Sequence, residues 1–578
     1  MIISLWAPHA SHVDAVVDGR KHRLMATDDD HWSIDLEPGT RYQLQLDGAD
    51  LLLPDPRSMC QPEGAHGPSV VVDPADFTFT AQQWDCPDLR GAVFYELHIG
   101  TFTAEGTFRA AIDKLDELVD LGIDAIELMP INPIPGTRGW GYDSVSIFAL
   151  NHHYGTPEDL VALIDAAHDR GIAMCLDVVY NHFGPDGNYL AQFGPYFTGK
   201  HHTPWGEAVN FDSVRAPHVR QYFVDNALMW VRDYRFDALR LDATDFFIDE
   251  SPTHILAELT TAIHNYAEQA GRRITVIAEN NSNNPATVSP VDANGWGMDM
   301  QWVDDVHHAI HVWLTGETNA FYVDHASPTT MEKALTNGFT RTGQYSIFEG
   351  KPHGHPLPAH ISGHAFVVSD ENHDQVGNRL VGDRPSHSLP ISDIAISRTL
   401  ILLSPFTPML FMGEEWAASA PFMFFTDHGP EIGRYIKEGR EKEFESWDLA
   451  SVYSEKQTMV DPQDEQAFLQ SKLNWTEAVT GEHKAIRAFV RELIKLRKSL
   501  PDLASGDRSA TKCVISEDGL SGWLRRGSVL IAFARQAHTQ LKIPTSLSTI
   551  HTTWGRVSAL DDVLTFTQPG VIVATVTD

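Results

Sequence analysis

Cysteine is scarce in this 578-residue chain: only Cys60, Cys86, Cys175 and Cys513 occur, and no two stand in a CxxC spacing. That argues against a disulfide framework and against a cysteine-built zinc site. Basic residues are in deficit too, with 43 Lys and Arg against 78 Asp and Glu and a formal charge of −35. Such a surface repels polyanions, so neither nucleic acid nor an anionic membrane is expected as a partner, and solubility is the plain use of the acidity. No apolar run approaches the roughly 20 residues of a membrane span. The opening Met-Ile-Ile-Ser-Leu-Trp-Ala-Pro lacks the basic and apolar regions of a signal peptide. Repeats and low-complexity tracts are missing as well. The chain reads as a soluble cytoplasmic protein, and its 42% hydrophobic content suffices for a large core.

What is present falls into three textures. Over 1–87, short alternating runs at 13–17, 32–36 and 42–46 are separated by Asp18-Gly19, Pro38-Gly39 and Asp47-Gly48. This pattern predicts a small antiparallel β-sandwich, with Pro54-Asp55-Pro56 and Pro74 marking an extended linker. Over 88–505, strand patterns at 93–96, 125–129, 173–179, 236–241, 274–278, 298–303, 365–369 and 408–412 alternate with helical ones, among them 107–121, 157–170, 217–232 and 253–270. Eight strands with mostly helical connections predict a (β/α)8 TIM barrel, a doubly wound sheet being the alternative. The long interruptions at 180–215 and 314–362 are then insertions on the loop face. An amphipathic helix follows over 481–500, and short strands over 506–578 predict a small C-terminal β domain.

The chain is organised around residues 236–245, Phe-Asp-Ala-Leu-Arg-Leu-Asp-Ala-Thr-Asp. The apolar run suits a buried parallel strand, and Arg240 and Asp242, two apart, share one face of it. A guanidinium beside a carboxylate keeps it ionised and able to attack as a nucleophile, although an ordinary ion pair at a strand end would look the same. Other strand ends carry Asp177, Glu279, Asp304, Asp305 and Asp374, with His182, His307, His308 and His373 close behind. Barrels of this kind keep their active residues at that face, and acids crowded there repel unless they serve a purpose. Two carboxylates can cleave a glycosidic bond, one attacking and one protonating the leaving oxygen, while a third steadies the developing charge. Histidines suit sugar hydroxyls, and Trp140, Tyr142, Tyr154, Phe183 and Trp302 either stack on sugar faces or pack the core. No cofactor is implied by this chemistry, and no clear metal-ligand set stands out.

Four stretches resemble, in order, the motifs of the α-amylase superfamily (glycoside hydrolase family thirteen): Asp177-Val-Val-Tyr-Asn-His182, Leu239-Arg-Leu-Asp242-Ala, Ile277-Ala-Glu279 and Asn372-His-Asp374. The resemblance implies Asp242 as nucleophile, Glu279 as general acid/base and Asp374 as transition-state stabiliser. It also implies Arg240, His182 and His373 as contacts to the attacked ring, and Tyr142 of Gly139-Trp-Gly-Tyr-Asp143 as a stacking platform. Asp242 is then expected to stay charged beside Arg240, and Glu279 to titrate above an ordinary glutamate.

Within the superfamily the chain is similar, over nearly its whole length, to the maltooligosyltrehalose trehalohydrolases. The stretches that carry this are Leu5-Trp-Ala-Pro8, Asp55-Pro-Arg-Ser58, His66-Gly-Pro-Ser69, Gly122-Ile-Asp-Ala-Ile-Glu-Leu-Met-Pro130, Asp304-Asp-Val-His-His308, Leu314-Thr-Gly-Glu317, His373-Asp-Gln-Val-Gly-Asn-Arg379, Phe411-Met-Gly-Glu-Glu-Trp416 and Phe424-Phe-Thr-Asp-His428. Such enzymes hydrolyse the α-1,4 bond next to a terminal trehalose unit, which implies maltooligosyltrehalose or a related α-glucan as substrate and a maltooligosyltrehalose-forming enzyme alongside. Asp245, Asp304, Asp305, His307, His308, Gln375, Asn378 and Arg379 are expected among the substrate contacts. A glucan branching transferase is the alternative. A non-catalytic barrel is disfavoured because all three catalytic positions are acidic. Three departures stand out: Asn280-Asn-Ser-Asn-Asn284 where such enzymes usually carry acids, Arg235 where a glycine often precedes the strand, and an acidic Asp370-Glu371 before Asn372.

Overall fold

The computed structural model describes residues 1–445, 447, 452–453 and 457–577. Eight parallel strands close on themselves: β1 (Phe94–Leu97), β2 (Ala125–Leu128), β3 (Ala173–Val178), β4 (Ala238–Leu241), β5 (Thr275–Glu279), β6 (Met300–Trp302), β7 (Phe366–Val368) and β8 (Thr407–Phe411). Phe94 pairs with Ala125 on one side and Met409 on the other, which shuts the ring. A doubly wound sheet is thereby ruled out, and the strands fall close to where their apolar runs place them. All six residues of β3 are buried, as a strand covered on both faces requires. Small residues (Ala125, Ala173, Ala238) sit opposite large ones (Phe94, Met300, Met409) inside the ring, so the barrel centre is packed rather than open.

Helix Pro157–Asp169 starts at a capping box in which Thr156 and Asp159 each bond the other's backbone N–H, with Pro157 in the first turn. The single helix expected over 107–121 is two, Phe108–Ile112 and Leu115–Leu121, parted by a turn at Asp113 and Lys114. Arg235 takes φ +65°, the left-handed region where glycine is at ease, so the glycine expected here from the resemblance has a backbone reason. The arginine is held there with its guanidinium 4.4 Å from the Phe79 ring centroid.

Before the barrel, a four-stranded sheet (Arg20–Arg23, Val13–Val17, Arg41–Leu46, Ser69–Val70) and a three-stranded one (Ile2–Trp6, His31–Asp35, Met25–Ala26) share a core around Leu5, Val13, Tyr42 and Leu44. They dock on helix Ala216–Arg232, where Trp6 stacks on His218 at 4.8 Å and Arg57 pairs with Asp225 at 2.8 Å. The stretch at 54–56 is no loose linker: Asp55 is buried and accepts the Tyr42 hydroxyl at 2.6 Å. After the barrel, a five-stranded antiparallel sheet (Thr511–Ile515, Ser521–Arg526, Val529–Ala534, Gly570–Val576, Leu547–Trp554) is accompanied by a three-stranded one (Thr539–Lys542, Val563–Phe566, Val557–Leu560). Arg535 ties this part to the barrel by donating to the Trp313 and Leu314 carbonyls and to Asp393. Among the described residues no helix is long and apolar enough to cross a membrane.

Beside the 129–156 loop after β2, three long insertions add to the barrel, the first after β3 and the second after the helix that follows β6. That at 180–215 carries the hairpin Phe197–Thr203/Gly206–Val209, and that at 314–362 carries helix Pro328–Asn337. The third, unforeseen as an insertion, follows β8 and carries helix Pro430–Glu445.

Candidate active site

The register sets Asp177 on β3 beside Arg240 on β4. Arg240 is wholly buried and serves three carboxylates: Nη1 donates to Asp177 Oδ2 at 2.7 Å and to Asp242 Oδ1 at 2.9 Å, and Nη2 lies 2.8 Å from Glu279 Oε2. Its guanidinium stands 4.2 Å from the Trp302 ring centroid at the end of β6, which holds the fork in one plane. Just past β4, Ala243 turns into the left-handed region (φ 42°) and so aims its N–H at Glu279 Oε2, 2.7 Å away.

This arrangement decides which acid keeps a proton. Burial drives Asp242 well above its ordinary value, and the neighbouring Glu279 charge drives it further, against the pull of Arg240. Burial also acts on Glu279, but Arg240, the Ala243 N–H and His373 hold it below its ordinary value. These directions favour the charged form of Glu279 over that of Asp242, opposite to the expectation from the motifs. Of the groups that lower Glu279, the Arg240 charge acts most strongly, and the Ala243 N–H adds a backbone bond that Asp242 does not receive.

The other side of the mouth is built on β1 and β7. Glu96 accepts the His373 backbone N–H at 2.9 Å on one oxygen and Nδ1 at 2.5 Å on the other. Burial alone would lower the His373 pKa, yet Asp374 and Glu96 outweigh it and raise it to about 10, so the ring is an imidazolium. Nε2 then points toward Asp374 Oδ1, 3.5 Å away. Tyr142 stacks on His373 (5.0 Å, 18°) and donates its hydroxyl to Asp177 at 2.6 Å. The Asp374 side chain is 38% exposed, against 11% for Asp242 and 13% for Glu279, and its Oδ1 accepts from Asn378 Nδ2 at 3.0 Å. Asp304 and Gln375 are half-buried nearby. Burial, with the charges of Glu279, Asp374 and Asp305, lifts Asp304 to about 7. His182, lowered to about 4 chiefly by burial, is neutral and stacks on Trp205 (4.2 Å, 11°).

Several expected substrate contacts have protein partners of their own. Asp305 is buried with both oxygens taken, by Asn283 Nδ2 (2.6 Å), the Thr340 N–H (2.7 Å) and hydroxyl (2.8 Å), and Arg341 Nη2 (2.8 Å). His307 is buried against the Asp370 carbonyl at 2.7 Å, and His308 among Phe321, Tyr322 and His325. Arg379 clamps Glu317 through two contacts of 3.1 Å and Asp383 at 2.8 Å. Asp245, though exposed, accepts Asn280 Nδ2 at 2.8 Å and the Asn281 N–H at 2.7 Å. These five side chains are thus engaged by the protein itself, through the insertion over 314–362, the loop after Glu279 or, at His307 and Arg379, also Asp370 and Asp383.

The same contacts explain the departures. Asn280 and Asn283 present amide donors to Asp245 and Asp305, where acidic side chains would repel. Asp370 and Glu371 are neutralised by Arg398, which also meets Glu414 at 3.0 Å, and by Arg384, which reaches Glu371 at 2.8 Å. Residues passed over in the sequence include Glu96, Glu127, Trp205 and Phe246. The first two show as lone acids inside the apolar runs Phe94-Tyr-Glu-Leu97 and Ala125-Ile-Glu-Leu128. Glu127 is fully buried below the mouth, and burial, then the Glu96 charge, keeps it neutral. Trp205 and Phe246, 48% and 36% exposed, meet edge-on at 5.1 Å and leave an aromatic step beside His182.

Among the described residues two groups lie close enough to hold a cation, Asp305 with His308 and His325, and His201 with Asp212 and Glu250. In the first, Arg341 and the other donors occupy the Asp305 oxygens; in the second, the Lys200 ammonium already sits 2.9 Å from Asp212 and 2.8 Å from Glu250. Neither donor set fits a metal ion as it stands.

The family model "Alpha amylase, catalytic domain" matches residues 68–198. A malto-oligosyltrehalose trehalohydrolase of Rhizobium sp. (strain M-11) is 44% identical over 542 residues, covering 91% of this chain and 89% of its own. The protein of the same name from Mycobacterium tuberculosis (strain ATCC 25618 / H37Rv) is 42% identical over 537 residues, 91% of each chain. A crystal structure from Salmonella typhimurium, provisionally named an α-amylase, matches with a TM-score of 0.90 at 36% identity over 100% of this chain and 97% of that one. By its barrel, its crowded carboxylate mouth and its likeness along nine-tenths of its length, the chain belongs to the malto-oligosyltrehalose trehalohydrolase family of α-amylase-type glycosidases.

Proposed function

We propose that the chain is a retaining glycoside hydrolase that cuts the α-1,4-glucosidic bond beside the terminal trehalose of maltooligosyltrehalose, releasing trehalose and a maltooligosaccharide. The observation that carries this reading is the meeting of Asp242 and Glu279 on one guanidinium, with Asp374 across the mouth on His373. Both acids reach the same guanidinium, at 2.9 Å and 2.8 Å, which fits a nucleophile and its acid/base partner better than the roughly 6.5–9.5 Å gap that an inverting enzyme leaves for water.

The free pair carries one proton, and catalysis needs it on Glu279. A glucosyl ring entering over Asp242 presents its anomeric carbon to that carboxylate, and the proton passes to Glu279. Asp242 then attacks as Glu279 protonates the oxygen of the departing trehalose. Glu279, now a carboxylate, removes a proton from the water that frees the sugar from Asp242. Asp374 and the His373 imidazolium hold ring hydroxyls as positive charge builds at the anomeric centre.

The acids cannot by themselves choose the leaving group. Trehalose bends at its α,α-1,1 linkage, so its second ring departs from the path of a maltosyl unit. Asp304, Gln375 and the 424–428 stretch are positioned to receive it, and polar groups left unpaired by the wrong ring reject it more strongly than apolar fit would. We assign the chain a supplier in the same compartment, the cytoplasm: an enzyme that forms maltooligosyltrehalose from an α-1,4-glucan. The test is product analysis. Maltotriosyltrehalose should give maltotriose and trehalose, the fresh maltotriose α by NMR, with maltopentaose cut far more slowly. A β product would overturn retention, and α-1,6-linked products would make the chain a branching transferase.

A further inference from the structure

Helix Pro430–Glu445, in the loop after β8, reaches back toward the mouth through Arg440. Arg440 Nη1 donates to Asn378 Oδ1 at 3.0 Å, and Asn378 Nδ2 donates to Asp374 Oδ1 at 3.0 Å. The amide thus has one orientation, oxygen to the guanidinium and nitrogen to the carboxylate. The guanidinium is itself held, 5.1 Å from the Phe424 ring centroid and 4.9 Å from Phe444, while Nη1 also meets Glu443 Oε2 at 2.9 Å. Phe424 in turn meets Trp140 edge-on at 5.1 Å, and Trp140 meets His373 at 5.4 Å. Arg440 therefore belongs to one packed unit with both groups that flank Asp374.

Anchoring the helix does not require this. Phe444 is buried, Gly433 packs closely against Gln463, and Lys437 pairs with Asp461 at 3.1 Å. The guanidinium is only 12% exposed, and its Nη1 is divided between the Glu443 carboxylate and the Asn378 amide, whereas the carboxylate alone would suffice for docking. What the contact does supply is direction. Asp374 is the most open of the three acids, and without a fixed amide its carboxyl is free to rotate. Arg240 serves the opposite side of the mouth, and His373 Nε2 is 3.5 Å from Asp374 Oδ1.

We propose that Arg440 is a positioning residue for the reaction: through Asn378 it sets the rotamer of Asp374, and its charge offsets the crowding of carboxylates on that side. The inference rests on the stabilising role assigned to Asp374 above. It is tested in the full-length enzyme by a double-mutant cycle with Arg440→Ala and Asn378→Ala, following trehalose release from maltotriosyltrehalose. Each single change should lower kcat by roughly 10²-fold with a much smaller change in KM, the scale expected of a misplaced catalytic group. The double variant should be no worse than the poorer single one, because both break the same chain of contacts. Guanidinium ion should restore part of the Arg440→Ala activity where an equal concentration of sodium chloride does not. Losses that multiply, an Arg440→Ala kcat within twofold of wild type, or no rescue would each overturn the proposal. If Arg440→Ala fails to fold, Arg440→Lys takes its place: it should lose kcat rather than KM, and an unchanged kcat would overturn the proposal. Wild-type enzyme that releases no trehalose would instead defeat the proposed reaction, and the same cycle is then read on whichever α-glucan it cuts.

Discussion

His373 on the seventh strand end gives its Nδ1 proton to Glu96 Oε1 on the first strand, 2.5 Å away, and its Nε2–H faces Asp374 Oδ1. The pairing raises the histidine from 6.5 to about 10. A raised pKa makes the charged ring a stabilising feature in full below the unfolded value, fading as pH climbs through the folded one. The window is therefore pH 6.5 to about 10. Glu96→Gln removes the carboxylate charge and should bring the alkaline limb of kcat/KM down by about one pH unit or more. An unmoved limb would show that His373 does not act as a cation.

Asp242→Asn should abolish turnover, by roughly 10⁴-fold or more, because the covalent step is lost. The fold should survive, since an amide matches the carboxyl in shape and burial already disfavours the charge there. Thermal unfolding and glucan binding check the second half. A variant keeping a tenth of wild-type kcat would remove Asp242 from the nucleophile role.

Asp304→Asn and Gln375→Ala should narrow the preference for maltotriosyltrehalose over maltopentaose while hydrolysis itself persists. His307→Ala should act differently. It strips a buried donor from the Asp370 carbonyl, so about 1–3 kcal/mol of stability is expected to go and the preference to stay. Measuring both substrates beside a denaturation curve separates the two effects; a lost preference in His307→Ala would return that residue to the substrate.

The buried cluster behind the mouth should matter for stability. Arg398 joins Asp370, Glu371 and Glu414, all of them enclosed. Arg398→Met leaves these acids short of their counter-charge and should cost about 3–5 kcal/mol, read as a shift in denaturant midpoint. A shift below about 1 kcal/mol would mean that the acids take up protons without penalty.

The barrel was legible because its strands are apolar runs of even texture, and the main acids because they close those runs. The stretch at 236–245 put Arg240 and Asp242 on one face from spacing alone. Asp304 and Asp305 show where such reading stops. On helix Asp304–Thr315 neighbouring residues point about 100° apart, so one carboxyl looks into the mouth and the next into the wall. Nothing in Asp-Asp-Val-His-His says which. Arg379 was equally opaque, since its partner Glu317 lies 62 residues away. The balance of charge between Asp242 and Glu279 was equally hidden: besides Arg240 it involves a backbone N–H aimed at Glu279 by a left-handed alanine that no local pattern announces.

The ring of strands closes between β8 and β1, and the Glu96–His373 bond spans that seam with 277 residues between its ends. A refolding chain can build most helices and the β2–β7 arc before the seam exists, but it cannot hold His373 in place. Contacts of such sequence separation form late. Activity therefore serves as a clock for ring closure: in a refolding time course it should return after the helical signal, and a chain arrested before closure would carry every acid yet turn over nothing.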